Sequence, residues 1–258
     1  EIAQCLVGSE MCIRDSTGTI RKPGRVDHRN TYLDTDRIER ERGITIFSKQ
    51  AIIKLDNAEI TLLDTPGHAD FSTETERVLQ ILDCAILVIS GTDGVQSHTE
   101  TLWRLLTHYS IPVFIFINKT DMPGIDRKNI IIDLKNKLDY RCVDFENSDK
   151  DLLYEELAEC DESIMQYYLD NGNVREKDIL NAVRSRELFP CCFGSALKLN
   201  GIESFMEIFW RYAPSSPNSE SFGAKVFKIT EDESGNRLTH LKITGGSLKV
   251  RSAVHGVS

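Results

Sequence analysis

Two uninterrupted apolar runs, "CAILVI" from Cys84 and "VFIFI" from Val113, constrain the fold more than any other feature of the chain. A strand with one wet face alternates apolar and polar residues, whereas a strand apolar at every position is covered on both faces. Such strands belong inside a parallel sheet with helices packed above and below. The chain supplies those helices: Phe71, Thr75, Val78 and Leu82 keep helical spacing, as do Val95, Thr99, Leu102, Leu106 and Tyr109. "AIIKL" at 51 and "ITLL" at 60 add two strands. "LFPCCF" adds another ahead of a helix carrying Ile202, Phe205, Phe209 and Tyr212. The alternation predicts a doubly wound α/β domain with a mostly parallel sheet.

The segment "APSSPNSES" breaks this pattern and predicts a domain boundary. Residues 17–213 then form the first domain, with a charged, mostly helical insertion at about 122–188. Residues 220–258 are the start of a β-barrel domain. In it "FGAKVFKI" and "LTHLKITGGSLKVR" read as strands, the last two joined as a hairpin across Gly245 and Gly246. With 258 residues, 40% of them hydrophobic, there is material for one large core and part of another. The net charge of -9 argues against a protein that coats nucleic acid, and no DNA partner is expected; a local patch meeting one RNA surface stays open. Seven cysteines in an odd, scattered set indicate neither a disulfide framework nor a zinc site, which favours a reducing compartment. No apolar run reaches membrane-spanning length, so a cytoplasmic protein without membrane contact is expected.

Chemistry-bearing residues collect where strands end, which is where open α/β sheets bind ligands. The strand at 60 breaks into "DTPGH". Asp64 leaves it as a fixed anion suited to a water-mediated hold on Mg2+, and Gly67 lets a backbone N–H approach a terminal phosphate. Asp64, Thr65, Pro66 and Gly67 together make a candidate phosphate-side turn, with His68 beside the place of an attacking water. Read alone, this is a strand ending in a polar turn. "NKTD" is more selective, because the Asp121 carboxylate can accept from both N1–H and the exocyclic amine of guanine, a pattern adenine cannot offer. The Lys119 stem can cover the base face, and the Asn118 amide can bond the base and brace neighbouring loops. "GSAL", comprising Gly194, Ser195, Ala196 and Leu197, could offer backbone N–H groups to the guanine carbonyl. "RGITI" adds the Thr45 hydroxyl, able to complete a magnesium shell and to order its loop with a third phosphate. "DTPGH", "NKTD" and "GSAL", each weak in isolation, are a strong signal in order at their own strand ends, whereas "RGITI" read without them is a β-branched strand start after a charged helix end.

Cys191 and Cys192 read as core packing, and Trp103 as packing or an exposed aromatic. His28, His98 and His108 lack ligand spacing. The Arg37, Arg40 and Arg42 cluster alternates with Glu39 and Glu41, so a solvated face is its best reading.

The order "RGITI", "DTPGH", "NKTD", "GSA", followed by a β domain, resembles the translational GTPases, the family of elongation factor G. The runs "GRVDHRNTYLDTDRIERERGITI" and "KVFKITEDESGNRL" look most like the ribosomal protection proteins associated with tetracycline resistance and their relatives. The resemblance implies a GTPase that binds GTP and GDP with Mg2+ and works on the ribosome, meeting its RNA and proteins, while monomeric off it. It also implies that His68 positions the hydrolytic water, that Ile44 forms one wing of an apolar gate around His68, and that Thr45 and Asp64 attend magnesium.

The chain departs from that family in one respect. Such domains open with a strand and a phosphate loop of the form G-x-x-x-x-G-K-[ST], and no glycine in these 258 residues starts that pattern. Where it should fall stands "EIAQCLVGSEMCIRDS". Residues 1–16 are therefore expected to be foreign to the domain, and the chain to be a fragment whose sheet lacks its own first strand. "AQCLVG", residues 3 to 8, is short and apolar enough to slide into that central slot as a surrogate. Little or no GTP affinity is expected for the chain alone, with aggregation or fast amide exchange in the strands at 60–63 and 84–89. The second functional reading is a non-hydrolysing remnant or ribosome-binding module.

Overall fold

The computed structural model describes residues 2–6, 49–55, 58–65, 72–214, 219–232 and 234–252. The chain divides into two compact units, Glu1–Pro214 and Ser215–Ser258. Among the described residues of the first unit, seven strands form one sheet: β1 (Ile2–Leu6), β2 (Lys49–Leu55), β3 (Ala58–Asp64), β4 (Cys84–Ser90), β5 (Val113–Asn118), β6 (Cys142–Asp144) and β7 (Phe189–Phe193). Their order is β2-β3-β1-β4-β5-β7-β6, with β2 antiparallel to β3 and every other pair parallel.

The central slot between β3 and β4 is taken by Ile2–Leu6, the segment anticipated as residues 3 to 8. It pairs from Ile2↔Ile60 to Leu6↔Asp64 on one side and from Gln4↔Cys84 to Leu6↔Ile86 on the other.

The fully apolar strands are buried on both faces, and alternate residues supply two separate cores. Ile86, Phe114, Phe116 and Cys192 pack on one side with helix α7 (Ile202–Tyr212); there Phe114 meets Phe209 at 4.8 Å and Phe116 meets Phe205 at 5.1 Å. Leu87, Ile115, Ile117 and Cys191 pack on the other side against α2 (Ser97–His108) and α3 (Arg127–Lys137). Period-two alternation thus sends the adjacent Cys191 and Cys192 to opposite faces, both fully buried, and burial pushes both thiols well above their ordinary pKa. Trp103 is core, edge-on to Phe189 at 4.7 Å. Helix α1 (Ser72–Leu79) buries Val78 and Leu79 and stops before Leu82. His98 and His108 lie on α2; His28 and the 37–42 arginines lie outside the described residues.

The insertion holds α3, α4 (Lys150–Ala158), α5 (Glu162–Asn171) and α6 (Glu176–Arg184). Asp126, Asp149 and Asp161 each accept two first-turn amides at the starts of α3, α4 and α5. The insertion is not purely helical, because β6 extends the sheet beyond β7. Beside β6, Arg141 forks onto Asp139 at 2.8 and 2.9 Å and also pairs with Glu187. Burial alone would raise the Asp139 carboxyl, but the Arg141 bonds outweigh it and hold it below the ordinary range. A carboxyl depressed in the folded state stabilises the protein above its unfolded pKa of about 3.9, and that contribution is lost as pH falls through the folded value. Arg141→Met should therefore move the acid-unfolding midpoint, followed by circular dichroism between pH 2 and 5, to higher pH. An unmoved midpoint would show that the fork does not stabilise the fold.

In the second unit, β8 (Gly223–Glu231) and β9 (Arg237–Gly245) form an antiparallel hairpin. Its turn is at Asp232–Asn236, where Asp232 accepts from the amides of Ser234 and Asn236. The expected hairpin across Gly245 and Gly246 is not formed, and "SLKVR" is not a strand. Gly245 is a glycine for another reason: a Cβ there would lie 2.4 Å from the Ser221 carbonyl. Among the described residues, no helix is long and apolar enough to cross a membrane.

Candidate functional site

The carboxyl ends of β4, β5 and β7 lie side by side, and their loops are stitched by backbone bonds. Gly91 N–H donates to the Asn118 carbonyl at 2.8 Å, Gly194 N–H to Ile117 at 2.9 Å, and Thr120 N–H to Gly194 at 3.1 Å. A Cβ on Gly194 would meet the Asn200 carbonyl at 2.5 Å and the Phe116 ring at 2.7 Å, so this close approach requires glycine.

Asn118 closes the arrangement. Its Oδ1 accepts from Lys119 N–H at 2.7 Å and from Ala196 N–H at 2.9 Å, tying the "NKTD" turn to the "GSAL" turn. Lys119 sits at φ 65°, a left-handed conformation that a non-glycine residue holds only where its surroundings impose it, and its side chain is exposed. Of the four "GSAL" amides, Gly194 donates to Ile117, Ser195 to Asn200 at 2.9 Å and Ala196 to Asn118; Leu197 is engaged in none of these bonds, and its side chain is 58% exposed.

Asp121 faces Lys198, whose Nζ lies 3.2 Å from Oδ2. Ser195 first, and Lys198 next, hold the Asp121 carboxyl below the ordinary carboxylate range. The Ser195 hydroxyl is buried yet has no partner in hydrogen-bond geometry among the described residues, so it acts on Asp121 as a nearby dipole rather than through a completed bond. Nearby, Ser90 and Thr92 hydroxyls lower Asp93, with a smaller contribution from Lys119.

The phosphate-side candidates are described only in part. Asp64 ends β3, Thr65 follows it, and both are buried, at 4% and 1% exposure. Pro66, Gly67, His68, Ile44 and Thr45 lie outside the described residues. Among the described residues no three His, Cys, Asp or Glu side chains converge as a metal cluster. Mg2+ needs none, because it keeps much of its water and binds through one or two carboxylates plus phosphate oxygens, so the hard oxygen of Asp64 fits it.

A cleft of about 790 Å3 nearby is lined by Thr120, Arg127, Glu146, Gly194 and Ser204 among others, but by neither Asn118 nor Asp121. It adjoins the "NKTD" and "GSAL" turns through Thr120 and Gly194. Lys198 and Asn200 escape a motif reading; the only cue to Lys198 is a cation directly after "GSAL".

Residues 11–215 match the family described as the elongation factor Tu GTP binding domain. Among curated proteins, the chain is 33% identical over 257 residues to the tetracycline resistance protein TetS of Listeria monocytogenes, covering 93% of this chain and 40% of that protein. It is 34% identical over 265 residues to an oxytetracycline resistance protein of Streptomyces rimosus, covering 92% and 40%. The chain thus spans about 40% of the length of these relatives. A Thermus thermophilus protein of known crystal structure superposes with a TM-score of 0.81 at 22% identity, covering 96% of this chain and 46% of its own, which speaks for the fold. With guanine-type motifs at adjacent strand ends and the family match running over most of its length, the chain belongs to the elongation factor Tu GTP-binding domain family, among the translational GTPases.

Proposed function

We propose that this chain is the nucleotide-binding part of a ribosome-associated GTPase that hydrolyses GTP to GDP and phosphate. The hydrolysis drives a translocation-like or tetracycline-releasing step. The observation that carries the reading is the Asn118–Ala196 brace, which sets the Asp121 carboxylate at the end of β5 beside the "GSAL" turn. Guanine offers two adjacent donors to that carboxylate; adenine offers none in that place. The Lys119 stem covers the base, and Leu197 N–H meets the guanine carbonyl.

On the phosphate side Asp64 and Thr45 would hold Mg2+, and Thr65, Pro66 and Gly67 would offer a backbone N–H to the terminal phosphate. When bound, Mg2+ would supply positive charge that offsets the charge developing on the phosphate. His68 orients the attacking water, and Ile44 shields it until the ribosome, through its RNA and proteins, opens that gate. The positioning is a transition-state effect, so its loss falls on turnover rather than on affinity.

The test is ribosome-stimulated hydrolysis by the protein carrying this domain, with GTP preferred to ATP. His68→Ala should slow that hydrolysis by roughly tenfold or more while nucleotide binding is kept. Equal use of ATP and GTP would remove the guanine assignment, and a parallel fall of binding and turnover would make His68 structural. A ribosome-binding module without turnover is the second reading, favoured by the lack of any G-x-x-x-x-G-K-[ST] run in these residues. Ribosome binding with no stimulated hydrolysis would establish it.

A further inference from the structure

Lys198 belongs to no motif, yet among the described residues it is the cation that pairs with the base-reading carboxylate. It closes a short 3-10 turn, Ala196–Lys198, whose backbone is pinned on every side. Ser195 and Asn200 exchange both backbone bonds, at 2.9 and 3.1 Å, Lys198 N–H donates to Ser195 at 3.1 Å, and Leu199 takes a left-handed φ of 56° to turn the chain back. The Lys198 backbone is thereby fixed relative to β7, and the turn that carries Asp121 is tied to the same β7 end through the Thr120–Gly194 bond. Across this frame Lys198 Nζ sits 3.2 Å from Asp121 Oδ2, with side chains 62% and 15% exposed.

A carboxylate has about four acceptor positions, two on each oxygen. Guanine uses one on each, through N1–H and the exocyclic amine, which leaves room on Oδ2 for an ammonium to stay. Lys198 is thus placed to assist the base rather than to compete with it. We propose that Lys198 is a positioning residue for guanine recognition, holding the Asp121 carboxylate in the orientation that meets both base donors. This rests on the assignment of Asp121 as the guanine reader.

The surroundings set the sign of the pH effect. Ser195 and then Lys198 lower Asp121, and of the other charged groups at this mouth Lys119 contributes a little to lowering Asp93. Removing the Lys198 charge raises the Asp121 pKa, so base binding fades at a higher pH as acid is added.

The experiment uses the 258-residue chain and guanosine monophosphate at millimolar concentration, where base contacts alone can register, followed by amide NMR titration beside inosine monophosphate, which lacks the exocyclic amine. Lys198→Met should weaken guanosine monophosphate binding roughly twofold to fivefold, the range of an exposed ion pair. It should also narrow the guanosine-to-inosine ratio and raise the Asp121 carboxyl titration seen by carbon NMR. Lys198→Arg should restore all three. A wild-type ratio together with an unshifted Asp121 titration in Lys198→Met would overturn the inference while leaving Asp121 as the base reader. A wild-type chain that fails to distinguish the two nucleotides would overturn the guanine assignment, and this inference with it.

Discussion

Replacing Asp121 by Asn should exchange xanthine for guanine as the preferred base. The carboxylate only accepts, and guanine presents two donors to it; an amide donates as well, and xanthine presents a carbonyl where guanine carries its amine. Affinity for the guanine nucleotide should fall on the order of a hundredfold or more, because a site built to bond a donor strongly rejects a partner that leaves a polar group unmatched. The xanthine nucleotide should gain in the same variant. The brace at Asn118 is untouched by the change, since its contacts run to Lys119 and Ala196, so the loops keep their places. Competition between the monophosphates, read by the same amide shifts, measures the exchange. A variant that loses guanine without gaining xanthine would place Asp121 in the framework rather than against the base.

Gly201→Val should destabilise the first unit by about 3 kcal/mol or more, a melting-temperature loss of roughly 6 to 12 °C for a domain of this size. Gly201 is the N-cap of α7 at φ 76°, so any side chain there is strained. A Cβ would also stand 2.4 Å from the Phe193 carbonyl and 3.0 Å from Gly194 Cα, both backbone atoms that cannot swing aside. Gly172 gives the comparison: it caps α5 at φ 68° with nothing within 4 Å of an added Cβ, so Gly172→Ala carries only the left-handed penalty of about 1 to 2 kcal/mol. Equal melting temperatures for the two variants would mean that the contact between the β7 end and the α7 start yields more readily than its geometry indicates.

The parts of the fold visible in the sequence are those where one physical demand acts on every residue. β4 and β5 are apolar throughout because both faces are covered, and their expected limits differ from the observed ones by a residue. β6 escaped notice because three residues, Cys142–Asp144, are too few to show a period; its place is fixed by pairing with β7. The hairpin was misplaced because Gly245 and Gly246 look like turn glycines, whereas Gly245 is there for a close backbone approach. The turn that forms draws on Asp232 accepting local amides, a signal carried by "DESGN".

At the candidate site, the "NKTD" and "GSAL" turns stood out in the sequence because they end apolar strands, and the structure ties them together through Asn118 and Ala196. The use made of the "GSAL" amides was not legible, since three of the four turn inward to neighbours set by the fold. Lys198 was hidden for the same reason: an ion pair across two loops has no spacing of its own. The candidates Ile44, Thr45, Pro66, Gly67 and His68 lie outside the described residues, and their roles stand on the family resemblance and on the tests above.

The brace between Asn118 and Ala196 joins positions 78 residues apart, with the whole insertion from α3 to α6 threaded between them. During synthesis β5 is made long before the turn that β5 needs. At that stage Asn118 has no Ala196 amide to accept, and Asp121 has no Lys198 beside it. Such distant partners join late and all together, once the intervening helices have packed. If Asp121 reads a base, that ability is expected to arise only once the "GSAL" turn has joined β5, and a nascent chain halted inside the insertion should not yet bind nucleotide.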